Sequence, residues 1–160
     1  MARLSVPFSM HRNGWWLVLL CGVLGVRIAG WQLGLPLGVL LLASLLLHES
    51  GHMLAAALLK VPVREFGLEL RGTYVRRAHA TRRRDEILIA ASGPLMNFLL
   101  VVPLLFVPRL GPQLATCNLM LGVINLLPLP SSDGLRILRN LSGSIVPGKA
   151  DPALSGVQPS

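Results

Sequence analysis

The chain has 160 residues, of which 52% are hydrophobic and only 14% are charged. A soluble domain usually carries about 25% charged residues, so this composition excludes an ordinary soluble protein and indicates one compact membrane-embedded bundle. The formal net charge of +8 would suit a nucleic-acid-binding protein, but the positions of the basic residues explain it differently, and we expect no nucleic-acid partner.

Four apolar stretches predict about four transmembrane segments. They run approximately from Trp15 to Trp31, from Leu35 to Leu59, from Ile87 to Val107 and from Leu114 to Leu129. The first stretch resembles a secretory leader, but Arg27 lies within it and no small-residue cleavage site follows. We therefore expect a retained membrane anchor, with tryptophans at both interfaces.

The fourth stretch is short, because a helix needs about 20 residues to cross a bilayer. Pro128 near its end and Pro130 directly after it predict that its last turn is broken. A short amphipathic helix is expected after it, over Gly134 to Arg139. From residue 142 onward Gly, Pro and Ser dominate, and residues 142–160 are predicted to form a disordered cytoplasmic tail.

The basic residues predict the orientation of the bundle. With four spans, the N-terminal segment, the loop from Lys60 to Glu86 and the C-terminal tail share one side, and that side holds thirteen of the fifteen lysines and arginines. The positive-inside rule then places both termini and the loop in the cytoplasm. The Arg82-Arg83-Arg84 run is expected to lie at anionic lipid headgroups.

The cytoplasmic loop predicts a small β-hairpin. Polar and apolar residues roughly alternate from Val63 to Arg71, Gly72 and Thr73 are suited to a turn, and a second strand follows from Tyr74. The predicted fold class is therefore a membrane all-α protein, a polytopic bundle with a small cytoplasmic β-hairpin. Residues 1–14 are expected to form a cytoplasmic segment and residues 15–141 the functional core.

One short segment inside the second apolar stretch carries three ionisable residues, His48, Glu49 and His52. Such residues are costly in hydrocarbon and indicate a functional site. Helical spacing of i and i+4 places His48 and His52 on one face, where both can bind one metal ion. Glu49 lies one step round the helix, where it can reach a metal-bound water and take its proton.

A zinc hydrolase site needs a third protein ligand and an open fourth position. On position alone Asp133 is the best candidate, because the Pro-broken turn before it can fold back into the bundle. Its alternative role is to cap the following helix. Two histidines and one carboxylate would also suit iron. Other candidates for the third ligand lie in the loop or the N-terminal segment: His11, Glu65, Glu69, His79, Asp85 and Glu86.

Three motifs in this order resemble the site-2 proteases, the intramembrane zinc metalloproteases of peptidase family M50. They are His48-Glu49-x-x-His52, Gly93-Pro94-x-x-Asn97 and the run from Asn125 to Gly134 that contains Pro128, Pro130 and Asp133. The resemblance implies one zinc ion per chain, with Asp133 as its third ligand and Glu49 as the catalytic base. It also implies that Asn97 orients substrate or the oxyanion, and Asn125 is a further candidate for positioning substrate. Both asparagines could instead serve as hydrogen-bonding contacts between helices.

The function implied is hydrolysis of a peptide bond in or near the transmembrane helix of a single-pass membrane protein, as in regulated intramembrane proteolysis. The expected location is the plasma membrane of a prokaryote, in contact with the lipid bilayer, and a regulatory membrane partner is possible. The alternative is a membrane transport or scaffold protein in which the same residues carry metal or protons without hydrolysis. Ionisable residues gathered at one depth favour the protease, because a transporter spreads them along a path.

Overall fold

The computed structural model of the protein describes residues 7–10, 12–69 and 72–143. Over these residues the fold is mostly helical with one small sheet, which confirms that part of the predicted fold class. His11 and residues 144–160 of the predicted tail lie outside the described residues. In chain order the elements are β1 (Phe8–Met10), α1 (Gly14–Leu58), β2 (Val63–Glu69), β3 (Gly72–Arg77), α2 (Arg83–Leu105), α3 (Gly111–Leu126) and α4 (Asp133–Leu141).

Helix α1 is interrupted at Gly30, where φ is 72° and ψ is −179°. A left-handed φ of this kind favours glycine, and it lets residues 14–29 and 31–58 fold back on each other as two antiparallel halves. Leu17 in the first half packs with Leu42, Leu45 and Leu46 in the second. The predicted first and second apolar stretches correspond to these two halves.

Small residues bring the two halves of α1 into backbone contact. A Cβ atom on Gly38 would lie 2.7 Å from the carbonyl oxygen of Cys21, and one on Gly34 would overlap the backbone of Val26. Gly25 lies in the same way against the backbone of Gly34 and Gly38. Small residues spaced by four permit such close packing in membranes, where helices gain little from the hydrophobic effect.

Two helices, Gly14–Leu58 and Arg83–Leu105, are long and apolar enough to cross a membrane by length and composition. Helix α3 has 16 residues, so it measures about 24 Å against a hydrocarbon thickness of about 30 Å. The count of four transmembrane segments therefore stays a prediction.

Large apolar side chains cover the outside of the bundle instead of being buried. Trp15 at the start of α1 is 67% exposed and Trp31, beside the turn between its halves, is 81% exposed. Aromatic residues at such positions are typical of the membrane–water interface. A belt of exposed apolar side chains is suited to contact with lipid. Along α1, α2 and α3 it includes Leu19, Val23, Val39, Leu99, Val102 and Val123.

The sheet has three strands in the order β1-β2-β3. Strands β2 and β3 pair antiparallel, as the hairpin prediction expects, but β3 begins at Gly72, so the connection is earlier than the predicted Gly72-Thr73 turn. Strand β1 pairs parallel with residues 66–68 of β2. The sequence did not indicate this third strand, because a pairing between distant segments leaves no local signal.

A buried ion pair joins the sheet to α2. The Arg77 guanidinium donates to both carboxylate oxygens of Glu86, at 2.9 and 2.6 Å, and both side chains are largely buried. Bidentate pairing fixes the direction as well as the distance between two groups. The end of β3 is therefore held at the first turn of α2, whose next turns pass beside the metal-ligand candidates of α1.

Candidate metal centre

Three buried side chains, His48, His52 and Asp133, meet in the interior of the bundle. Nε2 of His48 lies 3.2 Å from Nε2 of His52 and 3.2 Å from Oδ2 of Asp133. Nε2 of His52 lies 3.3 Å from the same carboxylate oxygen. Three candidate ligand atoms thus form a nearly equilateral triangle.

The two histidines owe their positions to helical spacing alone. His48 and His52 are separated by one turn in the second half of α1, and their rings meet edge to face with centroids 4.9 Å apart. Asp133 comes from a different part of the chain, the first residue of α4. It reaches the histidines because the chain reverses between the end of α3 and the start of α4.

Ser132 controls that reversal. Its hydroxyl oxygen accepts a hydrogen bond from the Leu135 amide at 3.2 Å and so caps the N-terminus of α4. The preceding residue, Ser131, has φ of 69°. The alternative in which Asp133 caps this helix is therefore wrong, and its carboxylate is directed to the histidines. Gly134 is required for space, because a Cβ atom there would overlap the carbonyl oxygen of Leu126.

A backbone carbonyl fixes the tautomer of His52. Nδ1 of His52 lies 2.6 Å from the carbonyl oxygen of Ile89, and a carbonyl can only accept, so Nδ1 carries the proton and donates. When the ring is neutral, Nε2 therefore holds the lone pair and can bind a metal, which is the usual arrangement of metal-binding histidines.

The Asp133 carboxyl is held in its charged form. Burial raises its pKa, but the hydrogen bonds and charges of His48 and His52 lower it by more, so the pKa lies well below its usual value. Oδ1 of the same group lies 3.8 Å from Nη1 of Arg136, one turn along α4. An ionised carboxylate is the form that binds a metal ion.

Gly93 of α2 leaves open the space in front of the imidazoles. A Cβ atom at this position would lie against Nε2 and Cε1 of His52 and Nε2 of His48. Gly51, between the histidines, lets α2 approach in the same region, since a Cβ there would be 2.6 Å from the Ser92 carbonyl oxygen. Sequence reasoning treated Gly93 only as part of a motif and missed that its lack of a side chain leaves room at the ligand atoms.

The triangle fits a zinc ion. Zinc takes nitrogen and oxygen ligands at about 2.0–2.1 Å in a tetrahedron, whose ligand-to-ligand edges are then about 3.3–3.4 Å. The three edges observed, 3.2, 3.2 and 3.3 Å, are close to this value. Three protein ligands also leave one tetrahedral position free, as hydrolytic zinc sites require.

Glu49 is half-buried and is held from the sheet. The hydroxyl of Thr73 in β3 lies 3.2 Å from Oε1 of Glu49 and 3.3 Å from the carbonyl oxygen of Leu45, and can donate to either. Sequence reasoning missed Thr73, because it was placed in a turn and not on a strand facing α1.

Among the described residues, no hydrogen bond joins Asn97 or Asn125 to the triangle. Asn97 is fully buried on α2, one turn beyond Gly93. Asn125 is half-buried near the end of α3, and its Nδ2 donates to the Leu121 carbonyl oxygen at 3.0 Å. Of the alternative third ligands, Glu65 bonds Tyr74 and Arg76 in the sheet, and Glu86 bonds Arg77.

Comparisons with known proteins agree with the three motifs. A model described as peptidase family M50 matches residues 37–112, a range that includes both histidines and Asn97 but not Asp133. A zinc metalloprotease of Methanocaldococcus jannaschii is 30% identical over 150 residues, which is 85% of this chain and 42% of the relative. The chain thus spans less than half the length of that relative.

A solved structure, described as a site-2 protease from Methanocaldococcus jannaschii, has the same fold. Its TM-score is 0.70 at 27% identity, and the match covers 89% of this chain and 70% of that one. The resemblance predicted from the motifs is confirmed at the level of sequence and of fold.

Proposed function

Because the chain has the motifs, the sequence match and the fold of the site-2 proteases, we propose that it is an intramembrane zinc metalloprotease. It hydrolyses a peptide bond in or near the transmembrane helix of a membrane-protein substrate. His48, His52 and Asp133 hold the zinc ion, and Glu49 is the general base. The observation that carries this proposal is the buried triangle of Nε2, Nε2 and Oδ2, with edges of 3.2–3.3 Å.

Individual groups of the protein have separate roles in the proposed hydrolysis. When bound, zinc supplies Lewis-acid activation of water and of the scissile carbonyl. Glu49 accepts the proton of the attacking water and returns it to the leaving amine. Thr73 orients the Glu49 carboxylate through its hydroxyl, and the Ile89 carbonyl keeps His52 in the tautomer that can bind metal. Asn97 and Asn125 remain candidates for positioning substrate.

The proposed membrane arrangement uses the two halves of α1, α2 and α3 as four spans. The clustering of thirteen of the fifteen basic residues supports cytoplasmic termini and a cytoplasmic sheet. A plasma-membrane location in a prokaryote is part of the same proposal. The bilayer would thin locally to match the length of the 16-residue helix α3.

A substrate helix must unwind before its carbonyls can be attacked, because a helix keeps them in hydrogen bonds. Strand β3 is suited to pair with the unwound segment of the substrate as an added strand. It lies at one edge of the three-stranded order, whereas β2 is paired on both sides over residues 66–68. Its Thr73 also lies beside Glu49. A single-pass membrane protein fits this geometry, and a regulatory membrane partner would act by presenting it.

The first test measures bound metal by elemental analysis of the detergent-purified protein and of His48→Ala. We expect about one zinc per chain in the wild type and less than a tenth of that in the variant, since two ligands hold zinc weakly. Ser50→Ala is the control, because Ser50 lies in the same turn and donates only to the Leu46 carbonyl oxygen. Folded wild-type protein that binds no zinc would exclude the proposed protease.

Thr73 provides a second test, on a transmembrane reporter that the wild-type protein cleaves. Thr73→Val removes the hydroxyl but keeps the shape, and we expect kcat to fall about tenfold with KM and bound zinc unchanged, as for loss of a hydrogen bond to a charged group. Thr73→Ser should restore kcat. An equal loss in the valine and serine variants would mean that Thr73 acts through packing and not through Glu49.

A further inference from the structure

A second polar cluster lies in the bundle one helical turn from the metal centre. It consists of Ser44, Asn97 and Asn118, which we call the polar layer. Ser44 is 3% exposed and both asparagines are fully buried. Polar side chains buried this deeply in a membrane bundle need hydrogen-bond partners, because neither lipid nor bulk water can supply them.

The helical register places these three residues at a similar depth. Ser44 precedes His48 by one turn in α1, and Asn118 of α3 bonds it directly. Helix α2 runs antiparallel to the second half of α1, since Ile89 contacts His52 while Gly93 faces both His52 and His48. Asn97, one turn after Gly93 on the same face, therefore lies near the level of Ser44.

The donors of the polar layer are already used. The two protons on Nδ2 of Asn118 go to Oγ of Ser44 and to the Leu114 carbonyl oxygen, each at 3.0 Å. The Ser44 hydroxyl donates its only proton to the Leu40 carbonyl oxygen at 2.9 Å. Neither Ser44 nor Asn118 therefore has a proton left to give to Asn97.

Three buried atoms then remain without a partner among the described residues: Oδ1 and Nδ2 of Asn97 and Oδ1 of Asn118. A direct bond from Nδ2 of Asn97 to Oδ1 of Asn118 would satisfy two of them and still leave Oδ1 of Asn97 without a donor. A donor from outside the layer is required. Water is the smallest group that both donates and accepts, and buried waters typically make about three hydrogen bonds to such atoms.

We infer that the polar layer binds at least one buried water molecule, held by Asn97 and Asn118. It lies one helical turn from the metal centre, toward the Gly30 end of α1. This inference rests on hydrogen-bond accounting and stands whether or not the protein is a protease. If the protein is one, each hydrolysis consumes a water, and the layer keeps water inside the bundle close to where the reaction uses it.

The sign of a stability change tests the inference. Asn97→Leu keeps the approximate volume and removes both amide atoms. If these atoms bind water, thermal unfolding in detergent should shift down by about 2–8 °C, because Asn118 and the water lose partners. If the layer is dry, the same change removes two unsatisfied atoms and the midpoint should rise, which would overturn the inference.

Asn118→Leu is the matched control for the sensitivity of the assay. It removes the two hydrogen bonds to Ser44 and Leu114 and should lower the midpoint whether or not water is present. A high-resolution crystal structure of the wild type gives an independent readout that needs no variant to fold. It should contain a water oxygen within hydrogen-bonding distance of both amides; an Asn97 carbonyl bonded only to protein groups, with no such water, would contradict the proposal.

Discussion

Glu49→Gln should lower cleavage of a transmembrane reporter by about 10²–10⁴-fold and leave bound zinc at the wild-type level. Glutamine has nearly the same shape as glutamate, and its carbonyl oxygen can still accept the hydrogen bond from Thr73. It cannot accept a proton from water at neutral pH. The measurement pairs initial cleavage rates in proteoliposomes with zinc content per folded chain.

The result separates the protease from the alternative of a metal carrier or scaffold. Ser50→Ala, the neighbouring substitution, should retain wild-type cleavage. A Glu49→Gln protein that keeps its zinc and cleaves normally would show that Glu49 is not the base. Loss of zinc together with activity would instead make Glu49 a part of the metal site.

Gly93→Ala should weaken zinc binding although no proposed ligand is changed. The added methyl group would lie against the ring atoms of His48 and His52, and it can be accommodated only if α2 or the rings move. Changes beside metal ligands commonly weaken metal binding by about 10–100-fold. We expect a loss of at least the lower value in a titration of the metal-free protein with zinc, and an equal or larger loss of cleavage.

Gly22→Ala is the matched control, because a Cβ atom built on Gly22 has nothing within 4 Å. The two variants make the same chemical change in helices of the same bundle and differ in what surrounds it. Wild-type zinc affinity in Gly93→Ala would mean that the space in front of the imidazoles is not needed for the metal. Equal losses in both variants would indicate general destabilisation.

Short-range patterns allowed much of the site to be predicted. The i and i+4 spacing of His48 and His52 decides their common face whatever the rest of the fold does. The role of Asp133 was harder to predict from the sequence, because its position depends on the reversal after α3, on the cap by Ser132 and on the space at Gly134. Several residues could supply the third ligand by chemistry, and only position and the family motif favoured Asp133.

Other features depend on contacts between distant segments and could not be read from the chain. The parallel pairing of β1 with β2 is one, and the hydrogen bond between Thr73 and Glu49 is another. The apolar stretches were located correctly as helices, whereas the number of membrane crossings stays a prediction. Gly30 joins the first two stretches into one element with a reversal, and α3 is shorter than the hydrocarbon layer.

The position of the proposed third ligand, Asp133, on α4 has a consequence for biosynthesis. Ribosomes deliver the chain from its N-terminus, so the helix that carries His48 and His52 can enter the membrane and fold long before Asp133 is made. Until then the growing chain has two of the three proposed ligands and cannot form the complete triangle. The site therefore cannot assemble until α2 and α3 have been made. Under the proposed function, an unfinished chain could not yet hydrolyse the membrane proteins around it.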